Sequence, residues 1–304
     1  MFQDLKNHVK EHIQNKEAMG VSPSVEELKS LIGVAMIKEW NSGVEVYEDY
    51  SPREITQIFH SPFESNCPVQ LNKLSSEEYT MIPIFRQVKR LLEVIEEKKE
   101  LELTAKGNLP VKIVKELYTL GVPDDNIETG YFKLAKEQDS NTVRIVRILA
   151  QSAGLIKIRK GALFLTVEGI HNFKDDALLL KTLFVTFCSK IDWKIFDIFS
   201  AYCDINKFEF AFSIVMLGRY GAERRIDNFY AEKNYKAFPI FSYYLVPDYI
   251  PSNYTYYYTR RIIKGFMSYF GLIELEKGLK RINPCYLKKS AIFDKLFRII
   301  PPKQ

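Results

Sequence analysis

The chain has 304 residues, of which 46 % are apolar and 27 % charged, a composition that excludes a disordered or fibrous protein and leaves room for two or three domains. No apolar run approaches the roughly 18–20 residues of a membrane span, and the N-terminus lacks the apolar stretch of a signal peptide, so we expect a cytoplasmic protein without a membrane partner. The four cysteines are far apart and form no CxxC pair, which predicts reduced thiols and no bound metal or other cofactor.

The net charge of +5 is divided unevenly along the chain. Residues 1–98 carry 11 Lys and Arg against 16 Asp and Glu, a balance of −5, whereas residues 99–304 carry 32 against 22, a balance of +10. This asymmetry favours an anionic partner for the C-terminal two-thirds, although a Lys-rich solvated surface gives the same counts.

Residues 1–81 are predicted to form an N-terminal helical segment that ends in a linker. Helices are expected over 2–17 and 24–40, the second opened by a capping box of Ser24 and Glu27. Residues 51–81 contain three prolines and many small polar residues, which favours a linker.

Residues 82–175 are predicted to form a first winged-helix-like unit. Its predicted elements are a helix from residue 82, a strand at 101–104, helices at 109–120 and 139–153, and a hairpin with Lys160-Gly161 at its tip. The order of helix, strand, helix, helix and two-stranded wing is that of a winged helix-turn-helix protein. A long polar connection at 122–138 departs from the compact form of that fold.

Residues 176–304 are predicted to form a helical connector and a second winged-helix-like unit. The stretch TRRIIKGFMSYFGLIELEKG (259–278) repeats TVRIVRILAQSAGLIKIRKG (142–161) in outline, which indicates a duplication. The predicted elements are helices at 207–221, 225–238 and 259–270, a Tyr- and Pro-rich loop at 243–259, a wing at 272–284 and a final helix at 286–298. The predicted fold class is therefore mainly α (α+β), with tandem winged-helix-like units behind an N-terminal helical segment.

Two resemblances bear on this architecture. The stretch GLIKIRKGALFLTVEG resembles the wing of many bacterial winged-helix regulators, in which a Gly-Leu-Ile step leads into strands that end in Leu-Thr-x-x-Gly, here Gly154, Leu155, Ile156, Leu165, Thr166 and Gly169. The segments YSPREITQIFHSPFE, LELTAKGNLPVKIVKELYTLG and NFYAEKNYKAFP resemble a family of uncharacterised bacterial proteins. Some members of that family also carry a SEC-C metal-binding motif or a plasmid open-reading-frame-3-like domain. Because this chain lacks clustered cysteines, the resemblance implies architecture and no metal.

The third helix of the first unit and its wing carry candidate DNA contacts. One helix face opposite the predicted core holds Arg and Gln, which read guanine and adenine edges with two hydrogen bonds. The wing holds basic side chains that suit phosphate. The candidate residues are Asn141, Arg144, Arg147 and Gln151 on the helix, and Lys157, Arg159 and Lys160 on the wing. The plainer interpretation of the same residues is a solvated helix face.

The second copy differs from the first at the wing. Glu274 and Glu276 stand where the first copy has Lys157 and Arg159, and acids on a wing repel a phosphate backbone. The second unit is therefore predicted to serve packing, dimerisation or a protein partner. Its Tyr-rich run suits an interface, although the plainer interpretation is that these tyrosines cover the core of their own unit.

The leading hypothesis is a non-enzymatic protein that binds double-stranded DNA through the first unit. The alternative is a protein-interaction scaffold without nucleic-acid binding. A remote alternative is a zinc peptidase built on HVKEH, with His8 and His12 as ligands and Glu11 as general base.

Overall fold

In the part of the chain that the structure describes, helices dominate and three small antiparallel sheets lie among them, which confirms a mainly α fold with some β structure. The structure is a computed structural model that describes residues 2–191, 206–239, 250–276 and 284–303. Within those ranges, no helix has the length and apolar character needed to cross a membrane.

The elements are numbered in chain order. The helices are α1 (Phe2–Ala18), α2 (Val25–Asn41), α3 (Pro52–His60), α4 (Ser76–Tyr79), α5 (Pro83–Lys98), α6 (Val111–Leu120), α7 (Asp125–Glu128), α8 (Asn141–Ser152), α9 (Val167–Phe173), α10 (Asp176–Ser189), α11 (Asn206–Tyr220), α12 (Asp227–Ala237), α13 (Ile250–Tyr258) and α14 (Ala291–Leu296). The strands are β1 (Val69–Leu71), β2 (Leu101–Glu102), β3 (Ile156–Arg159), β4 (Ala162–Leu165), β5 (Arg225–Ile226), β6 (Ile273–Glu276), β7 (Tyr286–Lys289) and β8 (Phe297–Ile299). Short 3-10 turns lie at Glu45–Tyr47 and Glu137–Asp139, and a π-helix at Thr259–Met267 continues α13.

The first unit has the predicted order of elements. Helix α5 begins at Pro83, because proline has no N–H to lose in a first turn. Helix α8 is followed by Gly154, whose φ of +71° is the left-handed conformation that suits a helix end. The three strands pair antiparallel in the order β2-β4-β3, and α8 packs on α5 and α6 beside them.

The second unit follows the same plan. Its strands pair in the order β5-β7-β6. In both units, therefore, the third strand in chain order lies in the middle of the sheet, between the first and the second. Residues 286–289, predicted to open a helix, are strand β7, because they pair on one side with β5 and on the other with β6. Residues 250–258, predicted to lie in a loop, are helix α13. The tip of the second wing, at 277–283, lies outside the described residues.

The two copies share hydrogen bonds as well as topology. In the first, Thr166 Oγ1 donates to the carbonyl of Gly154 at 2.6 Å. In the second, Ser290 Oγ donates to the carbonyl of Gly271 at 2.6 Å. In each copy the same residue's N–H also donates to the carbonyl of the leucine after the glycine, at 3.0 and 2.9 Å respectively. The wing therefore closes on the end of the preceding helix in the same way twice.

Residues 51–81, predicted to be a linker, form α3, β1 and α4 and belong to the core. Ile58, Cys67 and Val69 have no exposed surface. Strand β1 pairs with β8 near the C-terminus, and the carbonyl of Pro68 accepts the N–H of Ile300 at 2.8 Å. The prolines thus mark boundaries between packed elements.

One aromatic cluster joins the N-terminal segment to the connector and the second unit. The Phe184 ring of α10 stacks on Phe270 with centroids 4.0 Å apart, and it lies 5.4 Å from Phe63 and 5.6 Å from Phe297. The core is therefore continuous from the N-terminal segment through the connector to the second unit.

Glu48 and Asp49 fasten the N-terminal segment to the second unit. Both have left-handed φ values, and Glu48 is 5 % exposed. The Glu48 carboxylate accepts hydrogen bonds from Lys233 Nζ at 2.9 Å and from the Tyr220 hydroxyl at 2.5 Å. Arg219 donates two hydrogen bonds to Asp49, each at 3.0 Å.

Three of the four cysteines, Cys67, Cys188 and Cys285, are buried free thiols, and Cys203 lies outside the described residues. Burial raises the pKa of the Cys67 and Cys188 thiols, which disfavours the reactive thiolate.

Candidate nucleic-acid interface

The outer face of α8 holds the four candidate residues that the sequence predicts there. The opposite side is buried, and its buried residues are Thr142, Val143, Ile145, Val146, Leu149 and Ala150. Ile148 and Ser152 are half-buried, and Ile148 packs against the core. Of the candidates, Asn141 is exposed, whereas Arg144, Arg147 and Gln151 are half-buried. The outer face is therefore less accessible than the sequence predicts.

Arg147 is held by two groups of its own chain. Its guanidinium forms an ion pair with Glu137 at 2.8 Å and donates to the carbonyl of Gly107 at 2.8 Å. The Arg147 side chain is 18 % exposed and that of Glu137 is 2 % exposed. Arg147 thus ties both the 137–139 turn and the loop after β2 to α8.

The ion pair weighs against base reading by Arg147. Burial raises the pKa of the Glu137 carboxyl, and the positive charges of Arg147 and Arg144 oppose that rise. Breaking a buried ion pair costs about 3–5 kcal/mol. A good bidentate contact to a base contributes about 1–3 kcal/mol. The exchange of Glu137 for a base is therefore unfavourable.

The wing presents its basic residues to solvent. Lys157 and Arg159 lie on β3, Lys160 lies in the turn, and all three are exposed. Lys160 and Gly161 have φ values of +48° and +76°, the two left-handed residues of a tight hairpin turn. In the described part of the chain, none of the three basic side chains forms an ion pair or a hydrogen bond.

The Leu-Thr-x-x-Gly residues have a physical role at the base of the wing. Thr166 Oγ1 accepts the N–H of Gly169 at 2.8 Å and so caps α9. A Cβ on Gly169 would lie 2.0 Å from the carbonyl oxygen of Leu155, which no side chain tolerates. The Leu-Thr-x-x-Gly motif, which is visible in the sequence, therefore holds the start of α9 close to the base of the wing.

A cleft of about 660 Å³ lies between the wing tip and the loop after β2. Arg159 and Lys160 line one side, and Glu100 and Glu102 also line the cleft. Lys106 lies exposed in the same loop, between cleft-lining residues Ala105 and Gly107. Sequence reasoning missed this lysine, because only the fold places its turn beside the wing.

The charged side chains on the second wing are paired, whereas those on the first wing are exposed. Glu274 pairs with Lys288 on the neighbouring strand at 2.9 Å, and Glu276 pairs with Arg224 at 2.6 Å. Arg261, which corresponds to Arg144, is buried with its guanidinium carbon 5.1 Å from the centre of the Tyr257 ring.

The end of the second unit's helix packs on the first unit. A Cβ on Gly271 would lie 3.0 Å from Pro83 Cδ and 3.2 Å from the carbonyl oxygen of Met81. This contact brings the helix end against the start of α5.

The HVKEH segment lies on α1. His12 is half-buried, and the side chain of His8 lies outside the described residues. Among the side chains that the structure describes, no three His, Cys, Asp or Glu residues are grouped as metal ligands.

Comparison with known proteins finds a family model that matches the segment of the first predicted unit. Residues 80–177 match the family model described as the Y4jL N-terminal domain, an uncharacterised domain family. The match spans about a third of the chain and coincides with the first predicted unit. No curated protein and no solved structure gives a significant match. The expected resemblance to an uncharacterised family is confirmed for this segment, and no link to the SEC-C motif or the plasmid domain is shown.

Proposed function

We propose that the chain is a non-enzymatic cytoplasmic protein that binds double-stranded DNA through the wing of its first unit, residues 82–175. In this proposal both units are winged helices, and the second serves packing. The wider resemblance along the chain to proteins with SEC-C or plasmid-type domains belongs to the same proposal.

The observation that carries the proposal is the contrast between the two wings. They share strand order and closing hydrogen bonds, yet the acids of the second wing are paired, whereas Lys157, Arg159 and Lys160 of the first are exposed. Packing alone does not require three exposed basic side chains on a hairpin. Exposed Lys and Arg side chains on a hairpin suit the phosphates that border a groove.

The helix contributes less than the wing in this proposal. Asn141 and Gln151 remain candidates for base contacts, and Arg144 adds positive charge near Glu137. Arg147 becomes a positioning residue, because its guanidinium holds Glu137 and the carbonyl of Gly107. We therefore expect binding that depends strongly on salt and weakly on DNA sequence.

The test measures duplex affinity by fluorescence anisotropy over a series of salt concentrations. Replacing Lys157, Arg159 and Lys160 with Ala removes up to three phosphate contacts. Since each contact contributes about 0.9 to the slope of log K against log salt, the slope should fall by about 2–3.

A matched control removes the same charge elsewhere. Lys236, Lys264 and Lys303 are exposed and lie outside the first unit. Their triple Ala variant has the same net charge as the wing variant and should keep the wild-type slope. Absence of DNA binding by the wild type at low salt, or an equal loss in both variants, would contradict the proposal.

The cleft favours a second candidate function, the protein-interaction scaffold. Glu100 and Glu102 share this cleft with Arg159 and Lys160, and a mixed-charge cleft suits a polar peptide better than a phosphate backbone. The two candidates differ in one measurement. If the wing binds DNA, the double variant Glu100→Gln/Glu102→Gln should bind duplex more tightly, because two repulsive charges are removed. If the chain is a scaffold, neither the wild type nor this variant should bind duplex at physiological salt.

A further inference from the structure

The two wings carry edge strands of opposite charge. In the described part of the chain, β3 pairs only with β4 and β6 pairs only with β7, so each has one edge without a strand partner. Strand β3 has the sequence IKIR and β6 has the sequence IELE. Both alternate an apolar residue with a charged one, and the charges are basic on β3 and acidic on β6. One edge is therefore the electrostatic complement of the other.

Ile158 lies where the first wing lacks cover. It shares a face of β3 with the buried Ile156, yet it is 50 % exposed. Its counterpart in the second wing, Leu275, is half-buried. Because side chains alternate between the two faces of a sheet, a strand added at this edge would cover Ile158 on one face and meet Lys157 and Arg159 on the other.

The backbone groups at the two edges follow the same alternation. The N–H of Thr166 donates to the carbonyl of Leu155 at 3.0 Å. Hydrogen-bonded residues alternate along an antiparallel pair, so Ile158 points its N–H and C=O away from β4. In the second wing, the N–H of Ser290 donates to the carbonyl of Leu272 at 2.9 Å, which gives β6 the same alternation against β7.

One antiparallel register satisfies the backbone and the side chains together. Residues that point both backbone groups outward face each other in an antiparallel pair, whereas a parallel pair would set such a residue opposite one that points inward. A parallel contact would therefore turn the acids and the bases to opposite faces. Opposite charges that face each other directly across two strands stabilise the pairing. The facing pairs in the antiparallel register are Ile158 with Leu275, Lys157 with Glu276, and Arg159 with Glu274.

The present partners of the two acids leave their outer side open. Glu274 pairs with Lys288 on β7, and Glu276 pairs with Arg224, which lies over the ring of Tyr286 on β7. Both cations thus approach from the side away from the free edge, and the paired side chains are 49–62 % exposed. A carboxylate has acceptor sites for more than one donor, so each acid can hold a second cation.

We propose that copies of this chain associate head to tail, with β3 of one copy added antiparallel to β6 of the next. The contact joins two different edges, so it is heterologous, and each added copy offers an edge for a further one. The inference goes beyond the proposed DNA contact. It involves two of the same basic residues, so a wing paired with β6 cannot hold DNA through them.

Sedimentation velocity over a concentration series, without DNA, tests the contact by charge reversal. The variants Lys157→Glu/Arg159→Glu and Glu274→Lys/Glu276→Lys each replace two attractive pairs with two repulsive ones. The Kd for self-association should rise at least about tenfold in each. An equimolar mixture of the two variants should regain association, because every edge then finds one of opposite charge.

A matched control carries the same net charge as the β3 variant. Lys236 and Lys303 are exposed and lie outside both wings, so Lys236→Glu/Lys303→Glu should associate like the wild type. Circular dichroism of all variants checks that the fold is kept.

A cysteine pair tests the register. Lys157 and Glu276 would be a non-hydrogen-bonded pair with Cα atoms about 4.5 Å apart, a distance that a disulfide can span. Mixing Lys157→Cys with Glu276→Cys under mild oxidation should give a mixed disulfide, counted by mass spectrometry. Glu274→Cys in place of Glu276→Cys is the control and should give much less.

Three results would each overturn the proposal. The first is a wild type that stays monomeric up to about 300 µM, where a contact with a Kd of tens of micromolar would hold most of the protein in assemblies. The second is a mixture of the two charge-reversed variants that fails to regain association. The third is an equal yield of disulfide from the two cysteine pairs. None of these measurements depends on the proposed DNA binding.

Discussion

Replacing Arg147 with Met should destabilise the fold by leaving the Glu137 carboxylate buried without its ion-pair partner. Two unit charges about 4 Å apart attract by about 4 kcal/mol at an effective dielectric constant near 20. Loss of one partner of a buried pair costs about 3–5 kcal/mol. Because the Arg147 side chain is 18 % exposed, water can enter the site, and we expect a loss near the lower limit, about 3 kcal/mol. Urea denaturation at pH 7.5 measures this loss.

The pH dependence of that loss identifies the carboxylate as its cause. Burial raises the pKa of Glu137 in the folded state above its ordinary value of 4.5, so the folded chain binds more protons and stability falls as pH rises through this window. Without Arg147 the pKa rises further. The variant's loss should therefore shrink by about 1.4 kcal/mol per pH unit as the pH falls from the variant's pKa to that of the wild type.

A double variant completes the test. Glu137→Gln removes the buried charge, so Glu137→Gln/Arg147→Met should regain most of the lost stability. The reasoning is refuted if the loss for Arg147→Met stays below about 1 kcal/mol, the range of an exposed pair, or if it is the same at pH 5 and pH 7.5.

Two further predictions concern packing. Gly169→Ala places a Cβ about 2.0 Å from the carbonyl oxygen of Leu155, so the wing must shift from α9, and urea denaturation should show a loss of at least about 1–3 kcal/mol; an unchanged midpoint would show that the contact relaxes freely. Glu48→Gln removes the carboxylate that pairs with Lys233 and Arg219, both of which stay partly exposed, so the free energy of unfolding should fall by about 1.5 kcal/mol. The exposed Glu64→Gln serves as its control, and equal losses in the two variants would remove the special role of Glu48.

Much of the element order could be predicted from local signals. Capping at Ser24, the helix stop at Gly154 and the turn at Lys160-Gly161 each depend on a few neighbouring residues, and the structure contains all three. The repeat was predictable for the same reason, because it preserves helix register and the glycine after the helix. Local chemistry thus predicts where elements begin and end.

Pairing between distant segments could not be predicted in this way. Residues 286–289 have a composition that is compatible with a helix. They form strand β7 because they pair with β5 on one side and with β6 on the other. Residues 51–81 carry linker-like prolines, yet their burial depends on partners more than 200 residues away. The same limit applies to the site. The sequence places Arg147 on the outer face of α8, but the presence of Glu137 there depends on the path of the 122–138 connection.

The pairing of β1 with β8 has a consequence for synthesis. Val69 meets Ile299 only after 230 further residues have been made. At about 5–20 residues per second, this interval lasts roughly 10–45 s. During that time the apolar residues around β1 lack their final cover, and contacts of such long sequence separation also slow folding. Strand β8 therefore completes a core that β1 began, and a chain whose synthesis stops between the two strands leaves β1 with an open edge.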